Sequence, residues 1–270
     1  MYKNTKNRTE ITHKMKKEAE KTLPSNIFEG MTSISALLNS DCGNDRMIER
    51  IWIDTAKRSS KAAEIGFLNA KSKELGFEIE FVSSEQINEV CVGHTHGGMI
   101  AFCSNRTFPE LTSDAIAENG FYVYLEGVED PYNFGYTLRA LYAAGVNGVV
   151  LPERNWMSAA GVVARASAGT SELMPIFTAG AEEVIPLFKE RNYRVLCAGI
   201  RDSVSVFDED LPFPILLVIG GEKRGISRNL LSRADKIIRI DYGRSFRGSL
   251  SAASAATVMA FEIFRKNKKS

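Results

Sequence analysis

The run Ile215-Leu216-Leu217-Val218-Ile219, closed at once by Gly220-Gly221, constrains this chain more than any other stretch. Five apolar residues without polar alternation suit a strand covered on both faces. Such strands belong to parallel sheets sandwiched between helices, so strand and helix should alternate around the run. The spacing predicts further strands at Phe121–Leu125, Gly148–Leu151, Tyr193–Ala198 and Lys236–Ile240. Between them it predicts helices at Thr137–Ala144, Ala159–Ala166 and Ala181–Arg191, a short helix after Ile219, and a long apolar helix from about Leu250 to Arg265.

A second, smaller α/β texture lies upstream. Met31–Leu38 has helical apolar spacing, Ile48–Ile53 reads as a strand, and Ala62–Leu75 reads as a helix that Gly76 is placed to stop. Phe77–Val82 and Gly98–Cys103 read as strands, and Ser83 followed by Gln86 reads as an N-capped helix start. At 270 residues the chain is long for one domain. It divides into a flexible basic arm (1–25), an α/β domain (26–104), a linker (105–119) and a larger α/β domain (120–270).

The net charge is only +1, so a nucleic-acid partner must rest on local clusters of basic residues. Lys3, Lys6, Arg8, Lys14, Lys16, Lys17 and Lys21 crowd one end, and Arg265, Lys266, Lys268 and Lys269 the other. Solvated tails and RNA-grasping arms are both open for these clusters. Cys42, Cys91, Cys103 and Cys197 stand at no disulfide or metal-ligand spacing. No apolar run approaches the roughly 18 residues of a membrane span, and no signal peptide opens the chain. A cytoplasmic protein with reduced thiols and no metal is expected. Cys91, His94, His96 and Cys103 match no standard zinc spacing, and adjacent strand residues face opposite ways.

Three segments carry the chemistry. In the first, Glu126-Gly127-Val128-Glu129-Asp130-Pro131-Tyr132-Asn133-Phe134-Gly135, a strand runs through a turn into a helix that holds Arg139. Working residues in open α/β sheets sit beyond the carboxyl ends of strands. Arg139 offers a planar fork for a phosphate, and Asn133 can order a loop or hold a ribose hydroxyl. On spacing alone, a plain turn residue and a surface charge are equally open. The second segment, Gly220-Gly221-Glu222-Lys223-Arg224-Gly225-Ile226-Ser227, follows the buried strand. It has the glycines of a phosphate loop but places Ile226 where the loop lysine must stand, which removes a nucleoside-triphosphatase. The glycines suit close approach of a ligand to main chain. The third, Ile240-Asp241-Tyr242-Gly243-Arg244-Ser245-Phe246-Arg247-Gly248-Ser249-Leu250-Ser251, is a basic loop leading into a helix of small residues. Close packing explains the alanines but not the arginines.

In order and spacing these segments resemble the three signature motifs of the SpoU (TrmH-type) branch of the SPOUT methyltransferases. The matches are Asn133-x-Gly135-x-x-x-Arg139, Gly220-Gly221-Glu222-x-x-Gly225-Ile226, and Ser249-Leu250 with the small-residue helix after it. Val163-x-x-Ala166-Ser167-Ala168-Gly169 supports them, and His96-Gly97-Gly98-Met99-Ile100-Ala101 resembles the end of the family's substrate-binding domain. The resemblance covers residues 121–265 and, more weakly, 27–103. It implies an α/β fold in which a trefoil-knotted, parallel-sheet methyltransferase domain follows a ribosomal-protein-like RNA-binding domain. It also implies a homodimer, S-adenosylmethionine as cofactor, and methyl transfer to a ribose 2′-hydroxyl of structured ribosomal or transfer RNA.

By position, the resemblance implies cofactor contacts from Ala198, Gly199, Ile219, Gly220, Gly221, Ile240, Ser249 and Leu250. It implies catalytic roles for Arg139, Asn133, Glu222 and Ser251, with Glu222 holding Asn133 or Arg139, and RNA contacts from His96, Arg165, Arg244 and Arg247. Ser251 departs from the family pattern, which has Asn there, and the loop before it is one residue longer. That departure leaves room for an RNA-binding protein with lost catalysis; base methylation on the same scaffold is the other alternative.

Overall fold

The computed structural model describes residues 26–93, 95–153 and 159–268. The expected basic arm (1–25), His94 and Lys269 lie outside them. The N-terminal unit is a four-stranded sheet built from β1 (Ile27–Glu29), β2 (Ile48–Asp54), β3 (Glu78–Val82) and β4 (Met99–Cys103), in the order β1-β4-β2-β3. Only β2 and β3 run parallel. Helices α1 (Gly30–Leu38), α2 (Ala62–Leu75) and α3 (Ser84–Val90) complete it. Gly76 ends α2 at φ 82°, a left-handed angle that glycine takes without strain. Ser83 and Gln86 form the capping box of α3.

The second unit is a seven-stranded sheet, all parallel, in the order β7-β6-β5-β10-β8-β11-β9. Its strands are β5 (Phe121–Glu126), β6 (Gly148–Leu151), β7 (Ile176–Thr178), β8 (Arg194–Ala198), β9 (Val204–Ser205), β10 (Ile215–Gly220) and β11 (Lys236–Arg239). Helices α4 (Pro131–Ala143), α5 (Ala160–Ala166), α6 (Thr170–Leu173), α7 (Val184–Glu190), α8 (Arg228–Arg233) and α9 (Ala252–Asn267) surround it. Strand β10 lies between β5 and β8, with Ile215–Ile219 buried throughout. Leu217 and Ile219 face α4 and α9, while Leu216 and Val218 join the core under α7 and α8. The apolar run is continuous because both faces are covered.

Three expectations need correction. Helix α4 starts at Pro131, not Thr137, so Asn133 lies within the helix that carries Arg139 and not in a loop before it. Asp130 accepts from the Asn133 N–H as N-cap and Pro131 takes the first helical position, a start signal that was present in the sequence. The stretch 105–119 is not a free tether: Leu111 and Ile116 are buried in the larger core, and Glu110 bridges Thr178 on β7. Strands β1, β7 and β9 and helix α6, each of four residues or fewer, were not foreseen, being too short for periodicity to register.

The two units share buried contacts. Ala160 and Ala164 of α5 enter the N-terminal core. Glu172 accepts from Arg46 Nε at 3.1 Å and from Asn44 at 2.8 Å, with Arg46 fully buried. Arg106 donates to the carbonyls of Ser171 and Met174.

Candidate active site

The carboxyl ends of β8, β10 and β11 open on one concave cavity, the usual place for a ligand in an open α/β sheet. All eight residues expected to hold a cofactor line it. Ala198 ends β8 and Gly199 follows it, Ile219 and Gly220 end β10 and Gly221 follows it, and Ile240, Ser249 and Leu250 lie in the loop between β11 and α9. Ile226, Ala255 and Met259 add apolar wall, and Arg239 and Tyr242 add polar edges. Ile200, Arg239, Tyr242 and Met259 were not singled out from sequence, because only the crossing of chain segments brings them here.

The glycines are required by space. A Cβ on Gly220 would lie 2.3 Å from the Gly225 carbonyl carbon, and one on Gly221 would lie 1.8 Å from the Gly127 oxygen. The loop after β10 is therefore pressed against the loop after β5. Two hydrogen bonds pin it: the Gly221 N–H donates to the Glu126 carbonyl at 2.6 Å and the Ser227 N–H to the Glu126 carboxylate at 2.7 Å. Tyr242 fastens the third segment, its hydroxyl accepting from the Leu250 N–H at 3.3 Å. The cavity thus offers main-chain edges and apolar side chains and no cluster of cations. That donor set fits a nucleoside with a sulfonium tail and does not fit a polyphosphate.

A second depression adjoins the first, lined by Gly127 to Pro131, Asn133, Glu222, Lys223 and Ala252. Glu222 and Ala252 line both, so they stand at the junction. Here the Asn133 amide donates to Glu222 Oε1 at 3.0 Å. Of the two partners expected for Glu222, the structure selects Asn133. Arg139 lines neither depression and is exposed. Six positions along α4 place it about 9 Å further and about 120° around the helix from Asn133. Ser251 lines neither depression either. It is the N-cap of α9: its Oγ accepts from the Ser254 N–H at 3.1 Å and lies 3.0 Å from Ser254 Oγ. Ser and Asn are near-equal N-caps, so the departure from Asn keeps the helix start intact.

The residues expected to touch RNA divide. Arg244 and Arg247 are exposed in the loop before α9. Arg165 instead clasps the two units, pairing with the buried Glu29 at 2.8 Å and donating to the Tyr132 hydroxyl at 3.3 Å. Glu29 also accepts from the N–H groups of Val92 and Gly93. His96 is built into its own turn. Its Nδ1 accepts from the Gly98 N–H, which leaves Nε2 to donate to Asn88. Cys197, one residue before the cavity wall, has its thiol pushed up to about 12 by burial and then by Glu126, so it stays neutral and is no nucleophile.

With this geometry in view, comparison with known proteins decides the family. Residues 120–261 match the model of the SpoU rRNA methylase family, and residues 27–109 match that of the RNA 2′-O ribose methyltransferase substrate-binding domain. The chain belongs to the SpoU rRNA methylase family. It is accordingly an S-adenosylmethionine-dependent RNA methyltransferase that modifies ribose 2′-hydroxyls. A relative from Staphylococcus haemolyticus, assigned to the TrmH family of tRNA/rRNA methyltransferases, is 30% identical over 81% of this chain and 88% of its own length. The 23S rRNA (guanosine-2′-O-)-methyltransferase RlmB of Shewanella oneidensis is 27% identical over 90% of this chain and 98% of its own length. Among solved structures, the AdoMet-bound rRNA methyltransferase from Sinorhizobium meliloti superposes with a TM-score of 0.72 at 23% identity, covering 88% of this chain and 86% of that one. This likeness concerns the fold. No described helix is long and apolar enough to cross a membrane, and among the described residues no three His, Cys, Asp or Glu side chains gather as metal ligands.

Proposed function

We propose that this SpoU methylase acts on structured ribosomal RNA in the cytoplasm, with the cofactor in the cavity at the carboxyl ends of β8, β10 and β11 and the target ribose in the depression beside it. The observation that carries the reading is the meeting of the two depressions at Glu222, whose carboxylate is bonded to Asn133. When bound, S-adenosylmethionine supplies a methyl group on a sulfonium, already a good leaving group. The chain must therefore hold the ribose oxygen in line with that methyl, exclude water from the line of attack and leave the 2′-hydroxyl proton a path to solvent as the new bond forms. Gly220, Ile240 and Leu250 would hold the cofactor through main chain, with Ile226 and Met259 as apolar wall beside it. Glu222 fixes the Asn133 amide so that its free oxygen and remaining N–H face the ribose hydroxyls. Arg139 orients the 2′-hydroxyl or the adjacent phosphate through the planar fork of its guanidinium.

Because Arg139 reaches neither depression of its own chain, the working unit is a homodimer in which the partner subunit's Arg139 serves the site. An apolar stripe on α9, with Phe261 and Phe264 exposed beside Phe207, supports such an interface. The knotted path expected of the family belongs to the same reading. The segment from β11 to α9 lines a cavity also walled by the loop after β10, and α9 then packs on α4.

The test is transfer of labelled methyl to unmodified ribosomal RNA, followed by alkaline hydrolysis. Label should survive in alkali-resistant dinucleotides, because a 2′-O-methyl group removes the nucleophile that cleaves the backbone. Label recovered only in modified bases would overturn the reading.

A further inference from the structure

The loop between β11 and α9, residues 240–251, carries two aromatic side chains, of which the cavity uses one. Tyr242 lines the cofactor cavity and bonds Leu250. Phe246 does not line it, yet packs on Tyr242 with ring centroids 5.7 Å apart and stays 57% exposed. Its ring is seated on Gly248, where a Cβ would come within 2.6 Å of the ring edge. One side of Phe246 is thus fixed by Gly248 and Tyr242, and the other is open to solvent. Arg244 and Arg247 flank it, both exposed, and no hydrogen bond or ion pair among the described residues holds either guanidinium. The nearby acid, Asp241, is already paired with Arg239 at 2.8 Å, so it does not neutralise them.

We infer that Phe246 is a stacking platform for an unpaired base of the substrate RNA next to the methylated nucleotide, with Arg244 and Arg247 on the flanking phosphates. This deepens the reading above and rests on it. Sequence-specific contact with RNA falls on splayed single-stranded bases that stack on aromatic side chains, and basic residues beside the aromatic track the backbone. An exposed, seated ring between two unpaired arginines, at the edge of the methyl-transfer cavity, combines both. A ring meant to close over the cofactor would line the cavity, as Tyr242 does.

The test compares Phe246→Ala, Phe246→Leu and Phe246→Trp with the unaltered chain, using transcribed, unmodified large-subunit ribosomal RNA and S-adenosylmethionine. Stacking predicts that Ala and Leu raise KM for RNA roughly 5- to 100-fold, that Trp restores it, and that cofactor affinity by calorimetry and oligomeric state by sedimentation stay unchanged. If Leu serves as well as Phe, or if Ala shifts the chain to a smaller oligomer, Phe246 is an interface residue and the inference is wrong. Unchanged KM in the Ala variant would also overturn it. Failure of the unaltered chain to methylate ribose would instead overturn the underlying reading, so the two failures are told apart.

Discussion

Gly221→Ala should disable methyl transfer while leaving the fold in place. An added Cβ would stand 1.8 Å from the Gly127 oxygen and 2.4 Å from its carbonyl carbon, where real Cβ contacts do not fall below 3.0 Å. The loops after β5 and β10 must then separate by about 1.2 Å, since both contacts are backbone and neither can rotate away. The shift falls on Glu222, the next residue, and through its 3.0 Å bond on Asn133. A misplacement of about 1 Å costs on the order of 10²-fold in rate. The expected result is a kcat/KM at least about 100-fold lower, with a weaker cofactor affinity by calorimetry. Gly225→Ala in the same loop is the matched comparison. There the new Cβ meets nothing within 4 Å, and only the left-handed φ of 65° opposes it, at about 1 kcal/mol. Methyl transfer and thermal melting measured on both variants check the argument. A Gly221→Ala variant with the unaltered kcat/KM would refute it, because the crowding would then be relieved without moving the site.

Arg139→Ala should abolish methyl transfer and leave S-adenosylmethionine affinity within about two-fold, since the residue lies outside both depressions; retained transfer in a labelled-methyl assay would remove it from the mechanism. Glu172→Gln strips the charge partner from the fully buried Arg46 and should cost about 3–5 kcal/mol in denaturant unfolding, with a loss below 1 kcal/mol counting against a buried ion pair. Acid should weaken the fold in a defined window. Hydrogen bonds from Lys236 and Arg194 hold the Glu209 carboxyl below the usual range, and Ser84 does the same for Asp54. A depressed folded-state pKa means these groups stabilise fully above their unfolded values near 4 and lose that contribution as pH falls through the folded values. Calorimetric Tm should therefore be flat from about pH 8 to 5 and fall below about 4.5, with a smaller acid-side fall in Glu209→Gln.

The apolar run Ile215–Ile219 marked a strand buried on both faces, and the alternation of strands and helices around it implied the parallel sheet. Turn chemistry was equally local: Gly76 and the Ser83–Gln86 pair ended and began helices where their dihedral and capping preferences required. Asp130-Pro131 shows that even a legible signal can be passed over, and it moved Asn133 onto a helix. The eight residues marked by the motifs come to line one cavity, since neighbouring parallel strands deliver their carboxyl ends, and the loop before α9, to the same edge of the sheet. Which partner each side chain takes was beyond the reach of the motifs. Arg165 carries the same charge as Arg244 and Arg247, yet a buried Glu29 brought in by the other unit turns it into a clasp. Ser251 became a helix cap, and Arg139 came to lie outside both depressions, through the rotation of α9 and α4 about their axes. Local sequence sets conformation over a few residues, whereas these assignments depend on contacts between segments about a hundred positions apart, such as Asn133 with Glu222 and Glu29 with Arg165, which exist only once the chain has packed.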